Sequence, residues 1–253
     1  NYTSVNKIIA LGDLEERNKF ADTVDMLDKM YELSKLIREQ RRKRGSIDFD
    51  IPESKIILNE MGDVLEIKPY ARNAANMLIE DFMLMANETV AQHFYWLEKP
   101  FVYRTHGTPD PEKIEKLAAF INNYGYHIHM AKEEIHPKEI QKLLAEIEGS
   151  GKEDMIASLA LRSMKQARYS TECLGHFGLA CKYYCHFTSP IRRYPDLQIH
   201  RIIKDELRGR MKPNKLAHYE EILPEVAERS SRLERRAAES EREVNKLKKA
   251  QYM

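Results

Sequence analysis

The sequence predicts a helix-rich α+β fold with a few short strands and one long C-terminal helix. Apolar residues recur every three or four positions over most of the 253 residues, and only short stretches alternate with period two. A composition of 42% hydrophobic and 32% charged residues belongs to a globular chain with a sizeable core. No run reaches the roughly 20 apolar residues of a membrane span, and Asn1-Tyr2-Thr3-Ser4-Val5 has neither a basic nor an apolar leader character.

Leu14, Phe20, Val24, Leu27, Tyr31, Leu33, Leu36 and Ile37 give residues 13–43 a helical rhythm that Gly45 ends, so one long helix is expected, broken near its start. Ile47 to Ile51 alternates as a strand until Pro52 stops it, and residues 55–58 and 64–67 flank a turn and form a hairpin. From Ala71 to Leu97, Ala, Met and Leu without Pro or Gly predict a buried helix, followed by a β-prone stretch at Phe101–Arg104. Pro111 stands in the first turn of another helix. Residues 125–153 read as a connector carrying a short helix from Pro137 to Ile147, with Gly149-Ser150-Gly151 as a candidate boundary. Met155 to Lys165 is helical, Tyr169 to Thr171 is strand-like, and the glycines around His176-Phe177 require a turn.

The last helix places Leu216, Tyr219, Leu223, Val226, Ser230, Leu233, Ala237, Ser240, Val244 and Leu247 at alternating three-four spacing. A long helix packed on its own domain is the ordinary outcome. A dimeric coiled coil is the sharper one, weakened by the two serines in the seam, and no obligate oligomer is expected.

The net charge of +1, from 41 Lys and Arg against 40 Asp and Glu, hides segregation. Residues 38–44 carry five bases to one acid, and residues 192–212 seven bases to three acids, so either segment could follow a phosphate backbone or be a solvated helix face. Three cysteines, Cys173, Cys181 and Cys185, favour a reducing cytoplasm over a disulfide framework, and zinc would lack a well-spaced fourth ligand.

Gly175-His176-Phe177-Gly178-Leu179-Ala180, then the run His186-Phe187-Thr188-Ser189-Pro190-Ile191-Arg192-Arg193-Tyr194-Pro195-Asp196-Leu197 and His200-Arg201, are denser in committed residue types than packing requires. Here the chain resembles the ribonuclease II/ribonuclease R family, whose catalytic RNB domain carries such a signature. Residues 2–5, 44–50, 79–88 and 103–106 resemble further family blocks in family order, with Cys185 standing where relatives usually have Thr. The aspartate cluster that holds the family's metal has no counterpart, and the chain ends about where an S1 RNA-binding domain would begin. Residues 1–253 are therefore expected to be the C-terminal portion of an RNB domain, lacking the cold-shock domains, the aspartates and the S1 domain.

The resemblance implies a 3′→5′ exoribonuclease that releases nucleoside 5′-monophosphates from single-stranded RNA, with Mg²⁺ in the complete enzyme and none held by this chain alone. Its partners would be single-stranded RNA and the first half of the same domain, not a membrane. Arg192 would neutralise the phosphate at the reacting 3′ end, since a guanidinium fork meets phosphate oxygens bidentately. Glu241 would reach the active centre from the last helix, or else be a solvated glutamate. Phe49 would clamp a base or be a core aromatic. Tyr2 and Glu80 would read ribose 2′-hydroxyls, and without a partner a carboxylate on so apolar a helix as Glu80's is hard to justify. Arg44, His176, Arg193 and Tyr194 complete the expected RNA-binding set, although His176 could simply close a turn and Arg193 or Arg201 could pair with Asp196. A non-catalytic RNA-binding module and a helical interaction fragment are the rival readings.

Overall fold

The structure, a computed structural model, describes residues 1–48, 54–69, 72–130 and 135–252. Helices dominate, and the strands among the described residues form two separate antiparallel pairs, in keeping with the α+β expectation. The chain opens with α1 (Tyr2–Asn6), where the Asn1 side chain accepts from the Ser4 N–H, and continues into a π-helical turn (Lys7–Leu11). Neither shows in the sequence, because five residues give too few repeats for a period to be read.

Asp13 caps α2 (Leu14–Lys19) by accepting from the N–H groups of Glu15 and Glu16. The expected break falls at Phe20, and α3 (Ala21–Arg44) follows. Gly45 ends α3 at φ 105°, a conformation that favours glycine, and any Cβ there would lie 2.6 Å from Lys138 Cγ. Packed against α3 is α4 (Ala74–Trp96), whose start is fixed by a reciprocal cap between Asn73 and Asn76.

The expected hairpin forms from β1 (Ser54–Leu58) and β2 (Val64–Pro69), with Ile56 opposite Ile67. The strand expected at 47–51 is not one where it can be described. Ile47 and Asp48 are irregular, and Ile47 is held by burial and by an N–H bond to Gly178 O at 2.7 Å. Residues 49–51 of that expectation lie outside the described residues.

Two cores divide the rest. One gathers α5 (Pro111–Asn122), α6 (Pro137–Ile147) and α7 (Glu153–Ser163) around Ile114, Ile121, Ile140, Leu143, Ile147 and Ile156, with Phe177 joining it. The candidate boundary at residues 149–151 is therefore only a turn, since Ile147 and Ile156 on its two sides share one core. The second core joins α4 to β3 (Tyr103–Thr105), β4 (Arg168–Ser170), α8 (Tyr194–Leu207) and α9 (Pro213–Tyr252).

The buried stripe of α9 is Tyr219, Leu223, Ala227 and Ser231, which leaves the three-four seam of the sequence after Leu223. Steps of four turn about 40° around the helix each time, so the stripe winds off the core within a few turns. Leu233, Val244 and Leu247 are left exposed. The distal half instead holds the hairpin, with Lys248 Nζ donating to Gly62 O at 2.6 Å and Lys249 Nζ to Ser54 Oγ at 3.0 Å. No helix among the described residues is long and apolar enough to cross a membrane.

Candidate functional site

Between the second core and α8 runs the loop His186–Arg193, and nearly every turn of it is pinned. His186 Nδ1 accepts from the Tyr169 hydroxyl at 2.9 Å. The Phe187 N–H donates to Asn87 Oδ1 at 3.0 Å, and the Phe187 ring stacks on His200 with centroids 4.4 Å apart. His200 Nε2–H donates to Phe187 O at 3.0 Å. Pro195 stands in the first turn of α8, where its missing N–H costs nothing, and Asp196 one residue on favours the positive end of the helix. Fully buried, Asp196 reaches back to accept from Ser189 N–H and from Arg193 at 2.8 Å each. Cys185, at the position where Thr was expected, is buried and donates to Asn87 O at 3.2 Å, a bond a hydroxyl could also make.

This arrangement sorts the two arginines. Arg193 neutralises Asp196, and the freedom expected of it as an RNA ligand is largely used up. Arg192 is exposed and enters no hydrogen bond or ion pair through its side chain among the described residues. Tyr194 beside it is half exposed, with the Arg201 guanidinium 5.9 Å from its ring. Three buried polar atoms of the loop and the start of α8, Thr188 Oγ1, Arg193 Nε and Asp196 Oδ2, have no partner among the described residues. Such atoms are costly and gather where a fold serves something other than stability.

The two basic segments behave differently. Arg38 and Arg41 converge on buried Asp81 at 2.6 and 2.7 Å, and Arg44 forks onto Glu88 at 2.5 and 2.9 Å. Arg38, Arg41 and Arg44 thus tie α3 to α4, while Arg42 and Lys43 stay exposed. In residues 192–212, by contrast, Arg192, Lys204, Arg208, Arg210 and Lys212 enter no ion pair among the described residues.

Glu80 has a protein partner. Arg72 holds it at 2.6 Å and also meets Asp48 at 3.3 Å. Tyr2 is exposed on α1, which packs against α4, so Tyr2 and Glu80 stand on neighbouring helices. Phe49 lies outside the described residues. Glu241 is exposed on α9, seven residues beyond Glu234 and seven before Lys248, and all three share one helix face. Glu234 binds Arg104 at 2.6 Å, so Glu241 projects between that anchor and the hairpin tip held by Lys248.

His176 belongs to a buried ring ladder. His106 and His176 are 5.0 Å apart, His176 and Tyr184 5.2 Å, and Tyr184 and His186 5.8 Å. His106 Nε2–H donates to Lys165 O at 2.7 Å while its Nδ1 accepts from Gly178, which fixes a neutral ring. His176 Nδ1 accepts from the Leu179 N–H. Burial, helped by neighbouring positive charge, pushes His176 down to about 3 and His186 to about 2. His176 thus helps to close the turn through Leu179, and burial keeps its ring neutral.

Among the described residues no three His, Cys, Asp or Glu side chains converge as metal ligands. The acids nearest the loop and the α3–α4 seam, Asp196, Asp81, Glu80 and Glu88, are engaged with arginines, so the described residues do not fit a Mg²⁺ site. Sequence reasoning missed Arg72 as the partner of Glu80 and the aromatic surface formed by Tyr95, Trp96 and Tyr183. The first depends on a contact eight residues along, through a helix start. For the second, the adjacent Tyr95-Trp96 pair was the one available signal, since the spatial neighbour Tyr183 is far off in sequence.

A profile of the RNB domain matches residues 1–209. The chain is 44% identical over its whole length to ribonuclease R 1 of Lactococcus lactis and 42% identical over 98% of it to ribonuclease R of Aquifex aeolicus. It spans 31% and 35% of those two proteins, about a third of their length. Ribonuclease R of Mycoplasma genitalium, solved in complex with ribose-methylated single-stranded RNA, superposes with a TM-score of 0.90 at 28% identity, covering 99% of this chain and 39% of that one.

Proposed function

Because this chain belongs to the RNB family, we propose that it forms the arginine loop and part of the RNA channel of a 3′→5′ exoribonuclease that hydrolyses single-stranded RNA to nucleoside 5′-monophosphates. The observation that carries this reading is Arg192, an exposed guanidinium without a partner among the described residues, on a loop held in place by hydrogen bonds at His186, Phe187, Ser189 and Arg193. A cation held that way meets the charge that develops on the phosphate oxygens without reorganising first. Tyr194, Lys204 on α8 and Arg208, Arg210 and Lys212 just beyond it continue from it along the strand. Glu80, still 39% exposed in its side chain beside Arg72, has an oxygen left for a ribose 2′-hydroxyl, and Tyr2 on the adjoining helix can offer its phenol to the next. Glu241 supplies a carboxylate to the gap between the core and the hairpin. The Mg²⁺ implied by the family falls to the remainder of the protein, which is also this chain's principal partner. Three unpaired cysteines, all with pKa values raised by burial, suit a reducing compartment such as the cytoplasm.

In the complete protein, Arg192→Ala lowers turnover on the order of a hundredfold or more while RNA affinity changes far less. Single-turnover hydrolysis of a 5′-labelled oligoribonucleotide measures the first and fluorescence anisotropy the second. Normal turnover in a folded variant overturns the assignment, and a complete protein that binds RNA without hydrolysing it selects the non-catalytic module.

A further inference from the structure

A cavity of about 550 Å³ opens where the end of α4 meets the segment 173–183, a size suited to a small ligand. It brings together Arg44 and His176 but shares no lining residue with the loop that carries Arg192. We propose that this cavity binds one nucleotide, its base against the rings of Tyr95 and Tyr183 and its phosphate at Lys182.

Three observations support the assignment. The first is an aromatic wall at the edge of the second core, on which only Tyr183 of the three rings packs. Tyr95 and Tyr183 lie 4.7 Å apart, and the Trp96 ring is 5.4 Å from Tyr95 and 6.3 Å from Tyr183. Yet Tyr95 is 41% and Trp96 67% exposed, although Phe94, the residue before them, is buried in the second core. Glu98 at φ 50°, a strained value for a residue with a side chain, ends α4 just behind the pair and keeps it at the surface.

The second is charge. The lining includes Arg44 and Lys182 and no described carboxylate. Glu88 occupies the fork of Arg44, which leaves Lys182, exposed and without an ion pair among the described residues, as the cation for an anionic group. The third is the polar rim. The Thr108 hydroxyl has no partner among the described residues, and His136 spends only Nδ1, on the Lys138 N–H, so both can meet the hydrogen-bonding edge of a base. A π face, one cation and a mixed polar edge match a nucleotide better than an apolar ligand, which has no use for the last two.

The inference rests on the RNA-directed reading above only for the source of the nucleotide, which is either a residue within an RNA strand or a free 5′-monophosphate. Trp96 is the single tryptophan of the chain, so its emission reports on this wall alone. Titrating the 253-residue chain with AMP and with an (A)₈ oligoribonucleotide should give saturable quenching. Binding of (A)₈ at least tenfold tighter than AMP assigns the site to the strand, and equal affinity assigns it to the mononucleotide. Tyr183→Ala and Lys182→Glu should each weaken binding about tenfold, and Tyr183→Phe should not. RNA binding seen by anisotropy with unchanged Trp96 emission, and indifferent to Tyr183→Ala and Lys182→Glu, overturns the site while leaving the Arg192 reading intact. Nucleotide-dependent quenching alongside normal turnover of Arg192→Ala does the reverse. An emission shift that follows protein concentration rather than nucleotide makes the wall a contact between two copies and also overturns the proposal.

Discussion

A carboxylate shielded from water is expensive unless donors surround it, and Asp196 shows what the loop spends on keeping Arg192 in place. Its Oδ1 takes two donors and its Oδ2 none. Removing it would strand Arg193 as a buried charge, a change that typically costs about 3–5 kcal/mol. The histidines behind the loop have the opposite character, being neutral because they are buried. The unfolded chain takes up protons on them below pH 6.5, whereas the folded chain resists until about 3 at His176 and about 2 at His186. Stability present above pH 6.5 is therefore lost as the pH falls, by up to ~1.4 kcal/mol per unit for each ring. Thermal melts between pH 7 and 4.5 should show a steep decline that His176→Gln makes shallower by about one proton's worth. Equal slopes for the two proteins would mean that His176 is protonated in the fold.

At the level of elements, α9 is two objects in one helix. Its first half is core, with Ser231 Oγ accepting from Tyr169 N–H at 2.9 Å, and its second half is a mount for the hairpin. Ending the chain after Arg235 should leave a cooperative core while the hairpin amides of residues 54–69 exchange at least tenfold faster. Unchanged protection in hydrogen exchange would show that the hairpin needs no mount. Most elements were legible beforehand because long helices repeat their period many times, and Gly45, Pro111 and Pro137 punctuate them by local chemistry. At Ile47, the described start of the strand expected at 47–51, the pattern misled, because Ile47 alternates like a strand residue but fills a core built with Phe177 and the three helices α5–α7. The seam of α9 misled for a related reason. Alternating three-four spacing records which positions are apolar, not where along the helix the partner surface stops.

For the molecule as a whole, the difference between its two basic segments becomes a measurable slope. If both served RNA, a dozen cations would face phosphates; with Arg38, Arg41, Lys43 and Arg44 tied to Asp81, Glu39 and Glu88, about five remain on the loop, on α8 and just beyond it. Each phosphate on a single strand contributes roughly −0.7 to the slope of log affinity against log salt. The chain should bind an oligoribonucleotide with a slope of about −2 to −3.5 between 50 and 300 mM salt. A slope near zero would deny α8 any phosphate contact, and one beyond about −7 would return the α3 arginines to the RNA. The site was less legible than the fold because free and spent arginines look alike in a sequence. What separates Arg192 from Arg193 is Asp196, whose position in the first turn of α8 decides which of the two it can reach.

The attachment of the hairpin to the far end of α9 also sets a timetable. Gly62 and the lysine that holds it are separated by 186 residues. At ordinary elongation rates the ribosome needs roughly ten to forty seconds to cover that distance. During that interval the hairpin has been made and its mount has not. Leu58, Met61 and Leu65, exposed even in the finished fold, then sit on a two-stranded ribbon with open edges, the kind of surface that chaperones hold and that crowded nascent chains pair through. Folding here closes from α9 backwards, and whatever slows the 40 codons of that helix prolongs the hairpin's most vulnerable moment.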